Sequence, residues 1–230
     1  MTSTSQPTAV VTGASKGLGR ALATALAARG WQLVVDARDP ADLVTLLSGA
    51  TVLAGDVSDP AHRADLAAAV RAHGRLDLLV NNASDLGPSP LPALATYPLD
   101  ALRRVFETDV LAPVALVQAL LPPLRSARGT VVNVSSDAAV EAYPYWGGYG
   151  SAKAALDHVT AVLATEEPEL AVYAVDPGDM RTDMHQAAFP GEDISDRPLP
   201  DAIVPAFLHL LDTRPPSGRY RAAELLTVPA

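Results

Sequence analysis

The stretch Thr12-Gly13-Ala14-Ser15-Lys16-Gly17-Leu18-Gly19 follows a short apolar run at residues 9–11. After it, Leu18, Leu22, Ala25 and Leu26 recur at helical spacing until Gly30, a helix-stop signal. An apolar strand, a glycine-rich turn and an amphipathic helix, in that order, read as the opening of a parallel-sheet unit. Glycine lets the backbone turn tightly and approach a ligand with no side chain between. The helix N-terminus then offers free amide hydrogens and a partial positive charge, a combination suited to a pyrophosphate.

Working outward, strands and helices keep alternating. Residues 33–35 and 51–54 read as the second and third strands, and Pro60 opens a helix carrying Leu66, Ala69 and Val70. Residues 76–80 are almost wholly apolar, as in a strand buried on both faces. A long helical stretch over residues 99–121 follows, with Pro113 expected to kink it. Then come a strand at 130–134, a helix over 149–165, a strand at 170–175, a short helix near 202–211 and a last strand near 225–228. This pattern predicts an α/β fold: a doubly wound parallel sheet with helices on both faces, a three-layer Rossmann-type domain spanning residues 1–230. Two proline-rich segments, 84–98 and 178–200, are too irregular for core. They follow the fourth and sixth strands, and ligands bind beyond the carboxyl ends of parallel strands, so both are expected to be substrate loops.

Composition narrows the function. The 230 residues are 49% apolar and 19% charged, a balance normal for one globular domain. Acidic residues outnumber basic ones 26 to 17, and the net charge of −9 disfavours nucleic-acid and anionic-membrane partners. The absence of cysteine excludes disulfides, thiolate catalysis and zinc–thiolate sites. The five histidines (His62, His73, His158, His185, His209) never fall within four residues of one another, so no local metal motif forms. Residues 1–7 lack a secretory pattern and no stretch approaches membrane-spanning length, so a cytoplasmic protein is expected. Only two of the 17 basic residues are lysines, Lys16 and Lys153.

The spacing Gly13-x3-Gly17-x-Gly19 resembles the TGxxxGxG motif of the short-chain dehydrogenase/reductase family. The resemblance extends from about residue 8 to 185. Asn81-Asn82-Ala83 is similar to the family's NNAG, with Ser84 in place of glycine, and Asp56-Val57 matches the position that contacts adenine. Ser136, Tyr149 and Lys153 resemble its Ser…Tyr-x3-Lys signature, and Pro177-Gly178 with Thr182 its PG-x3-T segment. The resemblance implies a nicotinamide dinucleotide held by Gly13, Ser15, Lys16, Gly17, Leu18, Gly19, Arg38, Asp56, Val57, Asn82, Ala83, Tyr149, Lys153, Pro177, Gly178 and Thr182. It implies hydride transfer between that cofactor and a carbonyl compound or secondary alcohol.

A 2′-phosphate needs cations, whereas a bare ribose diol prefers a carboxylate. Lys16 in the glycine turn and Arg38 past the second strand match basic positions of NADP-preferring members. Asp36 ends that strand one residue before the diol-binding slot, which Ala37 occupies, and side chains alternate along a strand. NADP(H) is therefore the expected cofactor, with NAD(H) the alternative.

Tyr149 and Lys153 are four apart on a predicted helix and share a face. A phenol, with an ordinary pKa near 10, is a poor acid–base group at neutral pH. A nearby ammonium favours the phenolate. The resemblance implies that Lys153 also holds the nicotinamide ribose, that Ser136 (with Ser135 the neighbouring candidate) hydrogen-bonds the substrate oxygen, and that Tyr149 transfers the proton. Asp109 occupies the slot of the family's catalytic asparagine. A backbone carbonyl survives that exchange, but an ionised carboxylate would weaken the effect of Lys153 on Tyr149.

On the substrate side, the resemblance points to Tyr143, Tyr145, Trp146, His185 and Phe189 as pocket-lining residues, and so to an apolar or ring-bearing carbonyl compound. Arg181, Glu192, Asp193, Asp196 and Arg197 read as solvated charges on a mobile lid. The helices around 99–121 and 149–165 are apolar on more than one face, through Val114, Leu116, Leu120, Leu156, Val159 and Leu163. Family members pair through these helices, so a homodimer or homotetramer is expected. Two further readings stay open: a non-redox catalyst, such as a cyclase or dehydratase using Asp109, and a cofactor-binding regulatory protein.

Overall fold

A computed structural model describes residues 6–227. Its strands are β1 (Thr8–Val11), β2 (Gln32–Ala37), β3 (Thr51–Ala54), β4 (Leu78–Asn81), β5 (Thr130–Val134), β6 (Ala171–Asp176) and β7 (Gly218–Arg221). All run parallel in one sheet ordered β3-β2-β1-β4-β5-β6-β7. The helices are α1 (Gly17–Ala28), α2 (Ala41–Leu46), α3 (Pro60–His73), α4 (Leu99–Phe106), α5 (Ala112–Ala127), α6 (Gly147–Glu166), α7 (Asp183–Ala188), α8 (Val204–Thr213) and α9 (Ala222–Leu225). The sheet is doubly wound, as the alternation predicts. Strand order reverses between β1 and β4, which opens a crevice beyond their carboxyl ends.

Alternation along the strands sorts the core. Ala9, Val11, Leu33 and Val35 face one side, where they pack with Leu18, Leu22 and Leu26 of α1 and Phe207 and Leu210 of α8. Val10 and Val34 face the other, with Leu66 and Val70 of α3 and Leu116, Leu120 and Leu124 of α5. Every residue of β1, β4, β5 and β6 is buried, which explains their continuous apolar character. Local signals set the helix ends. Asp59 accepts from the Ala61 amide at 2.9 Å ahead of Pro60, and Gly74 closes α3 in the left-handed conformation.

The structure corrects four expectations. The last strand is Gly218–Arg221, paired with β6, while Ala222–Leu225 is helical; Val228 lies outside the described residues. β7 is a half-exposed edge strand with two arginines, so it carries no apolar run to announce it. The disturbance near Pro113 is a π-helical turn over Glu107–Leu111, just upstream, and the helix continues through Pro122 and Pro123 to Ala127. Pro113 has no N–H to give to the preceding turn, and a widened turn accommodates its ring. The resulting helix, Leu99–Ala127, is long and apolar enough to cross a membrane by length and composition, contrary to the expectation that no segment is. Its apolar residues Leu116, Leu120 and Leu124 are buried against the sheet. The segment 178–200 is less irregular than expected, since α7 lies within it.

Candidate active site

A cleft of about 1450 Å³ runs along the carboxyl edge of the sheet from the glycine turn to the aromatic residues before α6. At one end, Gly13 and Gly17 take positive φ angles of 65° and 56°, which removes side chains from the floor. The turn is fixed from both sides. The Gly13 amide donates to Asp36 Oδ1 at 2.7 Å, and Asn82 Nδ2 donates to the Thr12 carbonyl at 2.8 Å. The amides of Asn82 and Ala83 both donate to Thr12 Oγ1, at 3.0 Å each. Gly19 lies behind the cleft, where a Cβ would come within 2.4 Å of both Asn82 Nδ2 and the Gly13 carbonyl oxygen. Its role is close helix packing rather than contact with a ligand.

The α1 N-terminus has no side-chain cap and no acidic residue in its first turn. Its unpaired amides above a glycine-floored turn fit a pyrophosphate. Asp36 is buried, and its second oxygen lies 2.9 Å from His62 Nε2. With both oxygens engaged, the carboxylate holds the turn. The Asp36 hydrogen bond keeps the pKa of His62 above the ordinary imidazole value, although burial opposes the charge. Ala37 is buried, while Arg38 is exposed at the rim. Asp56 accepts from the Ser58 amide at 2.9 Å. Burial pushes its pKa up, but the Ser58 hydrogen bonds and the Arg38 and His62 charges outweigh this and hold it below the usual carboxylate value. Lys16 is exposed beside the cleft and pairs with Asp183 of α7 at 2.9 Å.

Ser136, Tyr149 and Lys153 all line the other half. Lys153 is buried; its Nζ donates to the Val134 carbonyl at 3.0 Å and lies 5.4 Å from the centre of the Tyr149 ring. Burial pushes the Tyr149 phenol up, and the Lys153 ammonium pulls it down without cancelling the effect, so its pKa stays above the ordinary value. Burial also opposes the charge on Lys153, yet the Asp109 carboxylate outweighs it and keeps its pKa raised. Ser136 Oγ donates to Asp137 Oδ1 at 3.0 Å and accepts from the Ala138 amide at 3.2 Å. Ser135 Oγ is buried without a hydrogen-bond partner among the described residues. Asp109 stands behind the wall, fully buried, with Oδ2 3.6 Å from Lys153 Nζ. It accepts from Ser84 Oγ at 2.9 Å and from the Asp85 amide at 2.7 Å.

The expected substrate residues divide. Trp146 stands edge-on to Tyr149 at 5.8 Å and tilts against Phe189 at 5.9 Å, while His185 lies 4.9 Å from Phe189. Tyr143 lines the cleft and donates to Asp137 Oδ2 at 3.0 Å. Tyr145 does not line it. That residue sits at a positive φ of 72° and is 59% exposed, because the turn before α6 directs its side chain outward.

Sequence reasoning missed several supports. Arg219 of β7 donates to the Ser136 carbonyl and to Asp157 Oδ2, each at 2.9 Å, and anchors the serine through its backbone. Asn81 Nδ2 donates to Asn133 Oδ1 at 2.7 Å, and Asn133 Nδ2 to Thr160 Oγ1 at 2.8 Å, tying β4, β5 and α6 together. No local pattern announces Arg219, whereas polar Asn133 inside an apolar strand was a readable signal and Asn81 was already part of the Asn81-Asn82-Ala83 motif. Among the described residues, no group of three or more His, Cys, Asp or Glu side chains could hold a metal.

A family model described as short chain dehydrogenase matches residues 7–193. An uncharacterised oxidoreductase of Schizosaccharomyces pombe is 33% identical over 188 residues, covering 80% of this chain and 75% of its own. Sepiapterin reductase of Mus musculus is 35% identical over 199 residues, covering 78% and 76% respectively. Among solved structures, a short chain dehydrogenase from Shigella flexneri complexed with NADP is similar with a TM-score of 0.88 at 29% identity, over 94% of this chain and 97% of that one.

Proposed function

Since the chain belongs to the short chain dehydrogenase family and is an oxidoreductase of that family, we propose that it is an NADP(H)-dependent carbonyl reductase or alcohol dehydrogenase with Tyr149 as its proton donor and acceptor. The observation that carries this reading is a single cleft with an uncapped helix N-terminus at one end and the buried Tyr149–Lys153 pair at the other. When bound, the nicotinamide supplies or accepts the hydride. In reduction, the Tyr149 phenol gives its proton to the carbonyl oxygen while the carbon receives the hydride. Ser136 orients that oxygen by turning its hydroxyl from Asp137 to the substrate, and its backbone stays held by Arg219. Trp146 and Phe189 supply apolar walls that suit a ring-bearing substrate and exclude water.

Preference for NADP rests on charge. Asp36 is engaged by Gly13 and His62, Ala37 is neutral, and Arg38 stands free of any ion pair among the described residues. The Lys16–Asp183 contact is an exposed pair, which a phosphate can outcompete for the lysine. The NADP carried by the similar Shigella protein agrees with this choice. Full burial of Asp109 gives no support to its action as an acid or base on a substrate. For the assembly, Leu111 and Val162 remain exposed on the long helix and on α6, and we propose pairing of copies through these faces.

The test follows nicotinamide absorbance with a panel of carbonyl compounds and alcohols, comparing NADP(H) with NAD(H). Turnover with NADPH at a higher kcat/KM than with NADH is expected. Tight NADPH binding with no turnover across the panel overturns the carbonyl reductase reading.

A further inference from the structure

We propose that the buried Asp109–Lys153 pair, with Ser84 donating to the carboxylate, keeps Tyr149 in its proton-donating form and biases the site towards reduction. This rests on the acid–base role given to Tyr149 above. The two positions where the chain departs from the family pattern, Ser84 and Asp109, are in contact at 2.9 Å. Every contact made by Asp109 comes from a donor: the Asp85 amide on Oδ1, and the Ser84 hydroxyl and Lys153 ammonium on Oδ2. Burial pushes the Asp109 carboxyl above the usual carboxylate range, and the Lys153 ammonium, the Asp85 amide and the Ser84 hydroxyl oppose it; a carboxyl met only by donors on both oxygens suits the ionised form. Lys153, nearly as buried, divides its charge between this carboxylate at 3.6 Å and the Tyr149 ring. Lysine promotes a phenolate through its positive field, and a carboxylate on the same ammonium cancels much of that field where water cannot screen it.

The neighbouring groups do not reverse the sign. Facing Tyr149 are Lys153 on its own helix, Asp109 on the π turn, and the hydroxyls of Ser84 and Ser136. Asp157 faces Lys153 from the next turn of α6, and Asp85 faces Asp109. Asp85, Asp109 and Arg104 of α4 also act on Tyr97. The Ser84 and Ser136 hydroxyls pull the phenol down, Asp85 pushes the Asp109 carboxyl up, and Asp157 acts on Lys153 while paired with Arg219 at 2.9 Å; burial of the phenol outweighs the groups that lower it. In reduction the carbonyl oxygen takes the phenol proton, and in oxidation the phenolate takes the alcohol proton as hydride leaves the carbon. A Tyr149 held protonated serves the first step and limits the second.

Asp109→Asn keeps the shape and removes the charge. With Lys153 released, the pH limbs governed by Tyr149 are expected to move to lower pH in both directions, and oxidation at neutral pH to rise about tenfold. A role confined to structure lowers both rates without moving the limbs, and that result overturns the proposal. Should the variant not fold, the wild-type protein still decides the question. The difference in tyrosinate absorbance between wild type and Tyr149→Phe is expected to appear only above the ordinary phenol range. Ionisation of Tyr149 near neutral pH in the wild type overturns the proposal. A wild type inactive on every carbonyl and alcohol defeats the carbonyl reductase reading, and the titration then decides this inference by itself.

Discussion

Asp36 and Asp109 are both buried carboxylates, one on each side of the point where strand order reverses. Each accepts from the backbone amide of a cleft loop, Gly13 for Asp36 and Asp85 for Asp109, and each has a basic partner on a helix. The partners differ. His62 meets Asp36 directly at 2.9 Å and lies against the turn-holding pair. Lys153 stands 3.6 Å from Asp109 and gives a hydrogen bond to the Val134 carbonyl, with its charge also over Tyr149. The same chemical group thus holds a shape in one half and adjusts a proton in the other. What decides between these roles is whether the cation also faces a reacting group.

The first way to break this contrast is Tyr149→Phe, which leaves the Asp109–Lys153 pair with no proton to govern. A loss of turnover on the order of a thousandfold is expected, with NADPH affinity, read by fluorescence, little changed. Asp36→Asn is next. It weakens the hydrogen bonds to Gly13 and His62, and His62 sheds its proton instead of remaining a buried orphan cation. A loss of about 2 kcal/mol in chemical denaturation is expected, together with weaker cofactor binding and no movement of the pH limbs of catalysis. Limbs that shift in this variant would erase the distinction between the two carboxylates. Arg38→Ala tests whether the engaged state of Asp36 leaves selectivity to the rim, and the NADP-over-NAD ratio of kcat/KM should fall about tenfold.

The smallest effect concerns pH and stability. Because Asp36 raises the folded-state pKa of His62, the native protein binds the proton more tightly than the unfolded chain. The stabilisation is complete below the unfolded imidazole value of about 6.5 and disappears as pH rises through the folded value. Melting temperature should therefore decline over that window in the wild type, and His62→Gln should remove that part of the slope.

The glycine turn, the central strands and the shared face of Tyr149 and Lys153 were legible because each depends on local spacing, whereas Ser136 was singled out by the family resemblance. The sequence placed Asp36 one residue before the slot of Ala37, but its bonds to Gly13 and His62 were not legible. The effect of Asp109 on Lys153 was anticipated from the slot it occupies, but its contact with Ser84 was not legible. It depends on a π turn, whose residues follow no standard helical spacing, and on contacts 25 residues apart in sequence. Arg219 was hidden for a different reason: its strand is a half-exposed edge, so burial writes no apolar pattern there. Tyr145 misled because aromatic identity says nothing about the backbone angle that turned it outward.

The widened turn at Glu107–Leu111 has a consequence for how this sequence can change over evolutionary time. Removing one residue from it would restore an ordinary helix but rotate everything upstream by about 100° against α5. Val105 would leave the core, and Asp109 would leave its lysine. Substitutions within those five positions can be compensated one at a time, whereas a gap of a single residue there cannot. Aligned relatives that keep the same spacing between α4 and α5 should therefore differ in composition across this turn and not in length.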